Sequence, residues 1–95
     1  MLDYEEALTR VRAEIAKMPP LEDDSLVVYP EHTIERQFGW VFFWGSDMYA
    51  KTGEFRYALA GNAPFIVNRH SGTIVSTGTA LPIEDYIRRY EAGIA

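Results

Sequence analysis

Apolar and polar positions follow two rhythms along this chain, and the rhythm changes where turn residues stand. In the first stretch Tyr4, Leu8, Val11, Ile15 and Met18 recur at steps of four and three, which places them on one face of a helix. Asp3 and Glu6 stand ahead of this run with the spacing of a capping box, each side chain able to satisfy a free backbone N–H. Pro19 and Pro20 end the helix, because proline lacks the donor and restricts the residue before it.

After an acidic loop at Glu22-Asp23-Asp24 the rhythm changes to that of strands. Leu26-Val27-Val28-Tyr29 is a short β-branched run that stops at Pro30, and a turn at 30–32 leads into a longer predicted strand over 33–44. Period two puts Ile34, Arg36, Phe38, Trp40, Phe42 and Trp44 on one face of it, and Glu35, Gln37, Gly39, Val41 and Phe43 on the other. Its second half is apolar on both sides, the mark of a central strand or one covered on both faces. A loop opens at Gly45-Ser46-Asp47 and closes at Thr52-Gly53. Further strands are predicted at 55–60, 65–67 and 73–77, broken by Gly61-Asn62-Ala63-Pro64 and by a hairpin loop over 68–72 in which Gly72 suits a positive φ.

A second helix closes the chain. Pro82 fits its first turn, Glu84 and Asp85 suit the positive end of its dipole, and Ile83, Tyr86, Ile87 and Tyr90 form a stripe. Gly93 is the expected stop. The order is α-β-β-β-β-β-α, a single α+β domain over 1–95. Its five-stranded sheet is mostly antiparallel, and the N-terminal and C-terminal helices are expected on one face or at an end of it.

Composition then narrows the function. The chain has 95 residues, 47% hydrophobic and 14% aromatic, with a formal net charge of −5. At this length a thin core needs nearly every large apolar side chain. The acidic balance opposes nucleic acid as a partner, and it serves either solubility or a basic protein partner. There is no cysteine, which removes disulfides, thiolate metal sites and cysteine nucleophiles. The acidic, non-apolar start at residues 1–6 is unlike an export signal, and no stretch has the length of a membrane span. Cytoplasm is the default expectation.

The search for chemistry mostly comes back empty. His32 and His70 lie on separate predicted turns, without the ligand spacing of a zinc site, and no metal or cofactor is expected. Ser25, Ser46, Ser71 and Ser76 sit in no nucleophile elbow. The carboxylate pairs stand at helix starts or in a loop, where capping and solvation account for them, so catalysis is not expected. The scattered glycines form neither a dinucleotide fingerprint nor a P-loop. What remains is the aromatic segment 39–44, followed by Tyr49 and Phe55. Trp40 and Phe42 read as core, whereas Trp44, at the strand's end, is the ring best placed to face outward and anchor a protein partner. Tyr49 and the acidic loop Glu22, Asp23 and Asp24 complete the candidate partner-binding residues. An open edge at 26–29 leaves both monomer and homodimer in play.

The residues also carry a family likeness. Phe38-Gly39-Trp40-Val41-Phe42-Phe43, then Leu59-Ala60-Gly61-Asn62-Ala63-Pro64-Phe65-Ile66-Val67-Asn68-Arg69, Gly72-Thr73-Ile74, Thr77-Gly78-Thr79-Ala80, Tyr86-Ile87 and Tyr90-Glu91 together resemble the YrhB-like family. This is the immunity protein 35 family of bacterial polymorphic toxin systems. The resemblance runs from Leu2 to Ala92 in element order and is specific from Gln37 onward. It implies a small cytoplasmic bacterial protein that neutralises a cognate toxin by direct binding, with a chaperone-like role as the alternative. Gly39, Trp40, Gly61, Pro64 and Gly72 match as structural positions, and no catalytic residue carries over. A small-molecule pocket between the first helix and the sheet is a third reading.

Overall fold

In the computed structural model, which describes residues 1–59 and 61–94, the chain builds an α+β domain whose main sheet carries a helix on each face. Helix α1 (Tyr4–Ala16) opens with the predicted capping box: the Asp3 carboxylate accepts from the Glu6 N–H at 2.8 Å, and the Glu6 side chain accepts from the Asp3 N–H at 3.1 Å. Its stripe Leu8, Val11 and Ile15 is buried, with Tyr4 and Met18 packed at its ends.

Strands β1 (Leu26–Val28), β2 (Ile34–Arg36), β3 (Gly39–Phe42) and β4 (Trp44–Ser46) follow, then helix α2 (Asp47–Thr52), strands β5 (Phe65–Asn68) and β6 (Ile74–Ser76), and helix α3 (Ile83–Ile94). The main sheet has the order β2-β3-β5-β6, all neighbours antiparallel, and β1 pairs with β4 in a separate two-stranded sheet. The fold class is the expected one, with six strands instead of five. The single strand expected over 33–44 is three strands. The chain reverses at Gln37-Phe38, where Gly39 takes φ +148. A Cβ at Gly39 would overlap the Val67 carbonyl oxygen on β5 and come within 2.9 Å of the Arg69 nitrogen.

That reversal redistributes the faces. Cross-strand partners share a face, so Trp40 with Val67 and Phe42 with Phe65 turn toward α1, and Val41 with Ile66 and Ile34 turn toward α3. Ile34 and Phe38, expected beside Trp40, lie instead with Val41 and Ile87 under α3. The two helices cover opposite faces, as the doubly apolar central strand calls for, and not one face or an end. All residues of β3 and β5 are buried, and each face of these strands needs its own cover.

Three further expectations change. The loop expected over 45–53 holds the end of β4 and helix α2, capped by Ser46 and closed by Gly53. The segment 55–60, expected as a strand, is a 3₁₀ turn at Phe55–Tyr57, closed by the Tyr57 and Ala58 N–H groups donating to the Glu54 and Phe55 carbonyls; Ala60 lies outside the described residues. Both edges of β3 are already taken by β2 and β5, which leaves this segment no ladder to join there. Gly93 does not stop α3, which continues to Ile94. Gly72, at φ +76, makes the predicted hairpin turn, where Asn68 accepts from the His70 and Ser71 N–H groups. Gly61, at φ +78, sits in open space in the turn before Pro64, whose carbonyl receives the Thr77 N–H and hydroxyl.

Candidate functional site

At Phe43 the chain leaves the main sheet, and β4 runs directly into α2. Ser46, 1% exposed, is the hinge of this join. Its hydroxyl caps α2 by accepting from the Tyr49 N–H at 3.0 Å, and it donates to the Asp24 carboxylate. Asp24 also accepts from the Met48 N–H at 3.0 Å and the Ser25 N–H at 2.7 Å, and the Tyr29 hydroxyl donates to the Ser46 carbonyl at 2.7 Å. The acidic loop, β1 and the start of α2 are thereby tied into one unit. Burial pushes the Asp24 carboxyl up, but the Ser46 hydroxyl and the converging backbone N–H groups outweigh it and hold the carboxyl below its ordinary value. Burial and the surrounding charges of Asp24, Tyr49, Glu31 and Asp47 raise the Tyr29 phenol. Lys51, hydrogen-bonded and paired with Asp47 at 2.7 Å, is held above its usual value.

Of the residues expected to meet a partner, the structure gathers most around this unit and assigns them different jobs. Trp44 does not face outward: its ring is 8% exposed, stacks on Phe65 with centroids 6.1 Å apart, and its indole N–H donates to the Ala63 carbonyl at 2.8 Å. An indole at the start of β4 finds a half-buried acceptor and a flat partner there, and both are lost if it turns to water. Asn62 donates to the Trp44 carbonyl at 2.8 Å, which pins the same spot from the other side. Asp24 is the half-buried clasp described above. Glu22 and Asp23 are exposed, and Asp23 adopts φ +54, a left-handed conformation that aspartate tolerates better than most residues. Tyr49 is 38% exposed on α2.

Phe55 follows Tyr49 in the aromatic series but is expected as the first residue of a strand, not as a contact residue. It is 89% exposed, immediately beyond the C-terminal end of α2, where Gly53 at φ +69 turns the chain. The six-residue helix α2 is roughly 9 Å long, so the acidic loop stands at one end of a short helix and a bare phenyl ring at the other. Arg56 beside it pairs with Glu54 at 3.2 Å and stacks 4.7 Å from the Tyr57 centroid.

At the opposite end of α1 a groove of about 600 Å³ runs between the N-terminal residues and the sheet. It is lined in part by Trp40, Thr33 and Arg69, and the buried Thr33 Oγ1 and Arg69 Nε have no hydrogen-bond partner among the described residues. Arg69 holds Glu35 at 3.0 Å, donates to the Arg36 carbonyl at 2.8 Å and lies 4.7 Å from the Trp40 ring centroid. No group of three or more potential metal ligands stands together among the described residues, and no helix there is long and apolar enough to cross a membrane.

Fold and surface define a small α+β domain with a sheet between two helices and, on one flank, an acidic loop and exposed rings around a short helix. The model of the immunity protein 35 family matches residues 5–93, and the chain belongs to that family. It is also similar to the Escherichia coli (strain K12) protein described as uncharacterized protein YrhB, with 47% identity over 53 residues. That match covers 56% of this chain and 56% of the relative, so it spans little more than half of the relative's length. No solved structure matches.

Proposed function

We propose that this chain binds a toxin protein directly and neutralises it, using the flank formed by the acidic loop, α2 and the turn after it. Membership of an immunity protein family supports the role. The exposed Phe55 ring is the observation that carries the surface, because a bare aromatic, with the part-exposed Tyr49 on the helix before it, is the usual material of an interface anchor. Glu22 and Asp23 supply negative charge at the rim, where it steers a basic partner and raises the on-rate more than the affinity. Asp24 acts from behind this surface by holding the loop and the start of α2 in place, and Trp44 by fixing the start of β4 to residues 62–65. In this reading the protein works by occupying its partner, without chemistry of its own.

The test is growth rescue. Cells expressing the toxic product of the gene next to this one should survive when the chain is co-expressed and die when it carries Phe55→Ala together with Tyr49→Ala. Survival that does not depend on the chain, or a neighbouring product that it neither binds nor blocks, would end this reading. A second reading has one observation in its favour: the unpartnered Thr33 Oγ1 and Arg69 Nε in the groove beside α1 could receive a small carboxylate. A panel of small carboxylic acids that leaves the unfolding midpoint unmoved would remove it.

A further inference from the structure

We infer that the free edge of β1 receives an extended segment of the protein partner as an added strand, apolar at its centre and basic at its ends. The inference rests on the toxin-binding reading and names how part of that partner is held. Strand β1 has β4 on one side and, among the described residues, no strand on the other. The Asp47 N–H donates to the Ser25 carbonyl and the Tyr29 N–H to the Phe43 carbonyl, both at 2.8 Å. Residues alternate along an antiparallel ladder, so 25, 27 and 29 face β4. Leu26 and Val28 therefore direct their N–H and C=O groups away from it, a ready template for strand addition.

A groove of about 450 Å³ lies between the C-terminal half of α1 and β1, walled by Ile15 and Met18 on the helix and by Leu26 and Val27 on the strand. Val28 is 7% exposed, so an incoming strand meets the edge first at Leu26. The apolar walls suit an aliphatic side chain of the incoming segment.

Charge selects the occupant. Glu22, Asp23 and Asp24 precede β1, and Glu31 follows it, so both ends of the edge are acidic. Arg12, on the helical wall, is the cation among the groove's lining residues, which places the basic residues of the occupant at its ends and not at its middle. A second copy of this chain fits less well. Antiparallel self-pairing about Val27 would set Leu26 opposite Val28 of the second copy, but it would also bring the acidic loop of each copy toward Glu31 of the other. Like charges brought that close repel.

The test uses a synthetic peptide with a Val-Thr-Val-Thr-Val centre and paired lysines at each end, read by residue-resolved amide exchange of the whole chain. Binding should slow exchange at Leu26 and Val28 and leave Ile74 and Ser76, whose amides point outward from the other edge strand, unchanged. N-methylating alternate valines of the peptide, or replacing its lysines by glutamates, should each weaken binding about tenfold or more. Leu26→Pro removes one outward donor at the first position of a strand, where proline is tolerated, and should weaken binding similarly while circular dichroism stays unchanged. Equal binding of the lysine and glutamate peptides, or protection at Ile74 and Ser76 instead, overturns the inference. So does protection of Leu26 and Val28 in the peptide-free protein that rises with concentration, which would make the occupant a second copy. If the peptide fails at β1 while growth rescue succeeds, strand addition falls and toxin binding stands. If the peptide binds at β1 but the chain rescues nothing, the toxin reading falls instead.

Discussion

Trp44→Phe separates a core role for this ring from a surface one. The change removes the indole N–H and leaves the Ala63 carbonyl without its donor. That carbonyl is only partly buried, so the lost bond costs about 1–2 kcal/mol, with water recovering some of it. The smaller ring also leaves space against Phe65, and the lost contact adds about 1–2 kcal/mol. The total is about 3 kcal/mol, a large share of the roughly 5–14 kcal/mol expected for a domain of this length. At about 4–8 °C per kcal/mol for a small domain, the unfolding midpoint should fall by about 12–24 °C. Urea and thermal unfolding followed by circular dichroism would measure this, with toxin affinity measured well below the new midpoint. Affinity should change little, since the ring does not reach the surface. An unmoved midpoint combined with a large loss of affinity would refute the reasoning and restore Trp44 as a contact residue.

The exposed ring predicts the reverse. Phe55→Ala should leave stability within about 0.5 kcal/mol, as for an ordinary surface change, and weaken toxin binding by about 2 kcal/mol or more by calorimetry. Gly39→Ala should cost about 3 kcal/mol or more, because a side chain is strained at φ +148 and its Cβ would enter the Val67 carbonyl; a denaturation midpoint near wild type would count against the β3–β5 register. Asp24 is held below its ordinary value, so the stability it contributes is full above the unfolded carboxyl's pKa, about 3.9, and is lost as pH falls through the lower folded value. Asp24→Asn should therefore lower stability at neutral pH and flatten the fall in acid, as measured by denaturation midpoints from pH 7 downward. Glu22→Lys with Asp23→Lys should slow association with a basic toxin and reduce its salt dependence in stopped-flow experiments, with little change in dissociation.

The sequence by itself determined what local physics controls. The capping box at Asp3 and Glu6, the stripe through Leu8, Val11 and Ile15, the break at Pro19-Pro20 and the turn at Gly72 each depend on residues within one or two turns of chain, and all stand as read. The central, doubly apolar segment was legible for the same reason: all of β3 and β5 is buried. Helix α2 had its signals too, with Ser46 as cap and Gly53 as stop, but six residues are too few for an apolar period to show.

What only the tertiary structure decided was where a continuous apolar run is cut and what each piece pairs with. Nothing local distinguishes a strand over 33–44 from three short strands; Gly39 made the reversal possible, and it lets β2 fold back on one edge of β3 while β5 takes the other. The same holds for the surface. Trp44 and Phe55 are both large rings near strand or loop ends, and their local surroundings do not rank them. Burial went to Trp44 because Ala63 and Phe65, some twenty residues downstream, offer it an acceptor and a stacking face. Phe55, in a 3₁₀ turn after α2, meets no such partners and stays 89% exposed. Those contacts are long-range, so they enter only when the chain has closed on itself.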